Sequence, residues 1–182
     1  MLHPDVATSP SPGIVDLSYG EHLLIWTLRR VIVGRGDCAL IRREYAAAFG
    51  EAADEALIAF HSFLVLLNRD SRRRFSIGHP GCADLTFDER HLLSVIAAAQ
   101  GDNDARLDAQ LRWLVRREGQ DDLHVAVSRL ARLLGEHGHA LKALHSGICP
   151  VKPGADLLLS APVYGPGQIR VTDQTVEITA QH

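Results

Sequence analysis

The stretch from Glu51 to Arg69 limits the fold more than any other. Ala53, Leu57, Phe60, Leu64 and Leu67 recur at helical spacing, and Ala56, Ile58, Phe63, Val65 and Leu66 widen that apolar face around most of the cylinder. The polar residues left over form two columns, Asp54, His61 and Asn68 beside Glu55, Ser62 and Arg69, each stepping by seven residues. So narrow a polar strip requires neighbours on most sides, and the stretch predicts the hub of a helical bundle.

Signals for those neighbours lie on both sides. Ser18 followed by Glu21 is a capping box, and LLIWTLRRVIV then runs to Gly34, predicting a helix over 19–33. Asp37 is placed to cap a second helix that carries Ile41, Tyr45 and Ala48 and stops at Gly50. After a short extended segment in RRRFSIG, Thr86 and Glu89 form another capping box and open a fourth helix over 87–100, with Leu92, Leu93, Ile96 and Ala99 facing inward. Asp102 or Asn103 caps a fifth, which runs through Leu107, Leu111 and Leu114 to about Arg117. Asp121 or Asp122 caps a sixth, where Leu123, Val127, Leu130 and Leu134 keep the period until the region of Gly135 to Gly138. Trp26 and Trp113, each among leucines, are assigned to the core. Six helices on short connections predict an all-α fold, a six-helix bundle or an orthogonal array.

Beyond Leu144 the pattern changes. Pro150, Pro153, Pro162 and Pro166 rule out a long helix, while Leu157 to Leu159 and the alternating pairs Ile169 with Val171 and Val176 with Ile178 suit short strands. The last two pairs predict a small β-hairpin around Asp173 and Gln174. A lone hairpin is marginal in water, so this arm is expected to pack on the bundle or on a partner subunit. The chain therefore divides into a disordered N-terminal arm over 1–17, rich in proline and small polar residues, a helical domain over 18–146, and an extended C-terminal arm over 147–182.

Bulk properties narrow the function. At 182 residues the chain is long enough for one real core. A net charge of −3 gives no general attraction to nucleic acid or acidic membranes. Arginine carries nearly all the basic charge, since Lys142 and Lys152 are the only lysines, a bias that with abundant alanine and leucine fits a GC-rich bacterial genome. Three cysteines, an odd number, favour free thiols and a reducing compartment. MLHPDVATSPSPG lacks the cationic start and apolar run of a targeting segment, and the apolar run from Phe60 to Leu67 is too short to span a bilayer, so the expected location is the cytoplasm and no membrane partner is expected.

Three clusters are candidates for chemistry. In His79-Pro80-Gly81-Cys82 the Pro-Gly pair predicts a type II turn that brings His79 and Cys82 together. His91 on the following helix would supply a third zinc ligand, with Asp84 or Asp88 available as a fourth. His137, His139, His145 and Cys149, near the exit of the sixth helix, are a second metal candidate. Arg72, Arg73 and Arg74, with Arg69 just before them, are the only concentrated basic patch and the candidate anion site. No nucleophile elbow, phosphate-binding glycine loop or His-Glu-x-x-His helix is present. The expectation is a non-enzymatic, cofactor-free protein-interaction or regulatory module, a homodimer that exchanges its C-terminal arm. The alternatives are a zinc-binding helical protein, such as a hydrolase, and an anion or nucleic-acid binder acting through Arg69 to Arg74.

Overall fold

The structure, a computed structural model, describes residues 13–36, 38–101, 104–142, 169–171 and 175–178. Six α-helices account for most of them: α1 (Tyr19–Ile32), α2 (Ala39–Phe49), α3 (Ala53–Asp70), α4 (Phe87–Gln100), α5 (Asp104–Leu114) and α6 (Gln120–Glu136). Three short strands, β1 (Phe75–Gly78), β2 (Ile169–Val171) and β3 (Thr175–Ile178), complete the set. The fold is all-α, as the periodicity predicts. None of the described helices is long and apolar enough to cross a membrane.

Helix α3 packs on α2 and on α6, and α6 also meets α4 and α5, so two antiparallel helices share the central role that the sequence pattern gives to α3 alone. Ile25, Ile41, Phe63, Leu67, Leu93, Ile96, Leu107, Val127 and Leu130 lie in one continuous buried core.

The two capping boxes form as read. Glu21 accepts the Ser18 N–H at 2.7 Å, and Glu89 accepts the Thr86 N–H at 2.8 Å. Both glutamates are fully buried, which an ordinary surface cap would not be, because each also ties down a distant segment. The second oxygen of Glu21 accepts the Lys142 N–H at 2.8 Å, fastening the chain beyond α6 onto the start of α1.

Element boundaries depart from the sequence reading where tertiary contacts intervene. Gly13 bridges Asp84, and the Ile14 N–H reaches the Ala83 carbonyl at 2.9 Å, with Ile14 and Leu17 against the core. The predicted N-terminal arm is thus ordered at its last residues, because two apolar side chains find a surface there; the rest of that arm lies outside the described residues. Cys38 occupies the N-cap position of α2, and Asp37, the predicted cap, lies outside the described residues, as do Asp102 and Asn103. Helix α5 ends at Leu114 rather than near Arg117, since the Leu114 carbonyl takes the Arg72 N–H at 3.0 Å and Val115 bridges Ser71.

Gly119, not Asp121 or Asp122, is the N-cap of α6. It is buried against α3, where an added Cβ would stand 2.4 Å from the Asp70 Cβ. Gly119→Ala is therefore expected to lower stability by about 1–3 kcal/mol. On the same helix an added Cβ at Gly135 meets nothing within 4 Å, so Gly135→Ala is expected to raise it by about 0.5 kcal/mol. Urea unfolding of both variants checks the pair of opposite signs.

The predicted hairpin is present. β2 and β3 pair antiparallel with Ile169 opposite Ile178 and Val171 opposite Val176, on either side of Asp173 and Gln174, which lie outside the described residues. β3 also pairs antiparallel with β1 of its own chain, Phe75 opposite Ile178 and Gly78 opposite Thr175, giving the sheet order β1-β3-β2. The extended segment between α3 and α4 is thereby a real strand, with Phe75 and Ile77 fully buried.

Candidate functional site

The loop between β1 and α4 is organised by a residue that belongs to none of the three clusters. Arg29 shares a face of α1 with Ile25 and Ile32, and its side chain is only 2% exposed. Its guanidinium donates to both oxygens of the equally buried Glu89, at 2.6 and 2.9 Å. Its remaining N–H groups reach the carbonyls of Cys82 at 2.6 Å, Asp84 at 2.8 Å and His79 at 3.3 Å. Glu89 in turn accepts the Gly78 N–H at 3.1 Å. A planar five-donor group suits this task, because an ammonium offers three donors and no fixed fork. Gly78 is required where it stands, since a Cβ there would lie 2.6 Å from Arg29 Nη2.

Those contacts decide the fate of the predicted zinc site. The Cys82 N–H closes the turn onto the His79 carbonyl at 2.9 Å, yet Gly81 does not adopt positive φ, so the turn is not type II. Arg29 draws three carbonyls inward and thereby sets the path of the loop. His79 is left exposed and Cys82 half-buried, while His91 lies apart from them in an aromatic contact. Its ring stacks on Phe87 with centroids 6.2 Å apart and meets Trp113 at 4.7 Å. Asp88, offered as a fourth ligand, is taken by the Arg73 guanidinium and by the Ser76 N–H at 2.7 Å. Among the described residues no three His, Cys, Asp or Glu side chains gather to hold a metal ion, so His79, Cys82 and His91 do not converge.

The second cluster is likewise drawn into packing. His137 Nδ1 lies 2.9 Å from the Leu133 carbonyl and His139 Nε2 lies 2.9 Å from the Ala48 carbonyl, both rings edge-on to Phe49. These contacts fasten the end of α6 to α2. His145 and Cys149 lie outside the described residues.

The arginine run does not form one anion site. Arg72 Nε donates to the Val115 carbonyl at 2.7 Å. Arg73 pairs with Asp88 and lies over the rings of Trp113 at 4.2 Å and Phe75 at 4.9 Å. Arg69 is engaged by Asp70 and by Asp122, at 2.7 and 2.8 Å, and Arg74 is exposed. Trp113, assigned to the core from its leucine neighbours, is instead 41% exposed beside Phe87. Trp26 does pack on the core, under the Arg30 guanidinium at 4.6 Å.

His91 carries a pH signature. Its pKa is pushed down to about 4, chiefly by burial and further by the nearby Arg73 charge, with Asp88 opposing. In the unfolded chain the ring protonates near 6.5, so between about pH 6.5 and pH 4 the unfolded state holds the extra proton. Stability from this residue is therefore full above pH 6.5, falls as the pH drops toward 4, and is constant below. We expect a loss of about 3 kcal/mol across that window and its disappearance in His91→Gln. Urea unfolding of the two proteins at about pH 7.5 and pH 4.5 compares the slopes.

Two further surfaces stand out. One is a cleft of about 650 Å³ lined by Arg30, Ile32, Val33, Arg35, His79 and Pro80. Beside it, Arg30 Nη1 lies 3.8 Å from the sulfur of Cys38. The Ile41 N–H at the start of α2 leads the effects that hold the Cys38 thiol below its ordinary pKa, with Leu40 and Arg30 adding to it against desolvation. The other surface is the outer face of the α3 and α6 pair. Ile58 and Val65 on α3 and Val125 on α6 are 58%, 64% and 71% exposed, around a groove lined by Ser62, Leu66 and Ala126. Glu55 pairs across this face with Arg129 at 3.1 Å at one end, and Arg69 with Asp122 at 2.8 Å at the other. Compared with protein-family models, with curated proteins and with solved structures, the chain matches none.

Proposed function

We propose that the chain acts through protein contact, as a module that self-associates by the outer face of α3 and α6. The observation that carries this reading is the charge pattern around the three exposed aliphatic side chains. On α3, Glu55 and Arg69 lie seven residues to either side of Ser62, with Ile58 and Val65 between them. On α6, Asp122 and Arg129 flank Val125 and Ala126 with opposite charges in the reverse order. The four corners therefore alternate in sign. A two-fold rotation about an axis lying in the face, parallel or perpendicular to the helices, sets each charge over one of opposite sign, so the face is its own complement, as an isologous interface requires.

The size of the face sets the strength. At about 1.5 Å per residue the 18 residues of α3 span about 27 Å. Two helices side by side are about 20 Å wide, so two copies bury on the order of 1,000 Å² in all, near the lower limit for a specific dimer. A dissociation constant in the micromolar range follows from so modest an area. Cys38 and Cys82 form no disulfide among the described residues, which suits the reducing, cytoplasmic setting we infer.

A charge placed in the centre of the face tests the reading. Val65→Asp with Val125→Asp is expected to weaken association at least about 100-fold, because each copy would bury unpaired carboxylates. Its melting temperature should stay close to that of the parent, since both side chains are more than half exposed in the single chain. A variant that sediments like the parent at the same concentrations would rule this face out.

A further inference from the structure

We infer that the cleft between the end of α1 and the His79 to Cys82 loop binds a small oxyanion joined to an apolar group, the chemistry of an aryl or alkyl phosphate. Three basic side chains, Arg30, Arg35 and His79, meet around one cavity of about 650 Å³, and no carboxylate lines it among the described residues. Such a concentration is unexpected in a chain of net charge −3 unless the charge has something to hold.

Arg30 distinguishes the cleft from a solvated surface patch. Its Nε is shielded from solvent and has no hydrogen-bond partner among the described residues. Its guanidinium rests between the Trp26 ring and the Cys38 sulfur, neither of which neutralises a cation as a carboxylate does. A buried N–H without an acceptor is costly, and a ligand oxygen arriving from the cleft would supply either that bond or a neighbouring one on the same fork.

The opposite wall is built in advance. Arg29, the residue before Arg30 on α1, holds the His79 and Cys82 carbonyls from below, so the loop cannot move away from Arg30 independently. The Gly81 N–H donates to His79 Nδ1 at 3.3 Å, which places the proton of the neutral ring on Nε2. His79 thereby presents a donor rather than an acceptor, the polarity an oxyanion needs. Ile32, Val33 and Pro80 complete the lining with apolar surface, which suits the organic part of the ligand rather than free phosphate. Side chains fixed before the ligand arrives lose little entropy on binding.

The test is a nuclear magnetic resonance titration of the full chain with phenyl phosphate, inorganic phosphate and benzyl alcohol in separate arms. Phenyl phosphate is expected to give saturable shifts confined to the amides of Arg30 to Arg35 and of His79, Gly81 and Cys82. Inorganic phosphate should shift the same signals with roughly tenfold weaker affinity, and benzyl alcohol should shift none. Arg35→Gln changes an exposed side chain and keeps the fold; it is expected to weaken phenyl phosphate binding at least about tenfold, and Arg30→Gln more. Absence of saturable shifts up to about 10 mM, or unchanged affinity in Arg35→Gln, would overturn the site. Equal affinity for phosphate and phenyl phosphate would overturn the role given to the apolar walls. None of these outcomes depends on whether the chain self-associates, because the cleft and the α3/α6 face share no residue.

Discussion

Arg29→Met is expected to lower the free energy of unfolding by about 3–5 kcal/mol, the largest single-residue effect we anticipate in this chain. The substitution strands the Glu89 carboxylate, which is fully buried, and leaves the carbonyls of His79, Cys82 and Asp84 without their donor. Glu89→Gln should cost less, about 2–3 kcal/mol, because the amide oxygen still accepts one of the N–H groups that the carboxylate now serves. In the double variant Arg29→Met with Glu89→Leu the loss should be smaller than the sum of the losses in Arg29→Met and Glu89→Leu alone, since neither charge remains to be buried alone. It should not fall to zero, as three loop carbonyls and the Gly78 N–H stay unsatisfied. Urea unfolding gives all these values. A loss under about 0.5 kcal/mol in Arg29→Met would mean that the loop is organised by something else.

Removal of residues 169–182 is expected to cost about 2–4 kcal/mol, the second-largest effect, because it takes away the strand partner of β1. Phe75 to Gly78 would then present an open edge between α3 and α4, and a lone four-residue strand has no stability of its own. The truncated chain should still associate through α3 and α6, because β3 pairs with β1 of its own chain. Melting and sedimentation on the same preparation separate the two. A drop in stability with unchanged association is expected; conversion to monomer on truncation would mean instead that the arm is exchanged between subunits.

Most helices were legible because their signals are local. Ser18 with Glu21, and Thr86 with Glu89, are each three residues apart, and the apolar repeats of α1, α3, α4 and α6 are self-contained. The alternation of Ile169, Val171, Val176 and Ile178 likewise foretold the β2 and β3 pairing, whose register follows from the period of two. Arg29 was not legible, because the partner that explains its burial stands 60 residues away. Its phase held a hint, since it falls four residues after Ile25 and three before Ile32, on the apolar side of α1, whereas Arg30 falls outside it. Trp113 shows the same lesson in reverse. Leu107, Leu111 and Leu114 define the buried side of α5, and a residue two positions after Leu111 is turned about 200° from it, toward solvent. His79, Cys82 and His91 lie apart for a related reason: adjacency around a tight turn says nothing of where the carbonyls point, and here one distant arginine decides it. On the α3/α6 face the column of Glu55, Ser62 and Arg69 was visible in the sequence, but its meaning depends on α6 lying antiparallel beside it with the opposite order of charge.

Self-association through α3 and α6 predicts a definite mass. Sedimentation equilibrium of the intact chain from roughly 1 to 100 µM should move from a chain mass of 19.9 kDa toward twice that value, with a midpoint in the micromolar range that shifts to higher concentration as salt screens the four charged corners. A single species of 19.9 kDa at every concentration would contradict the account.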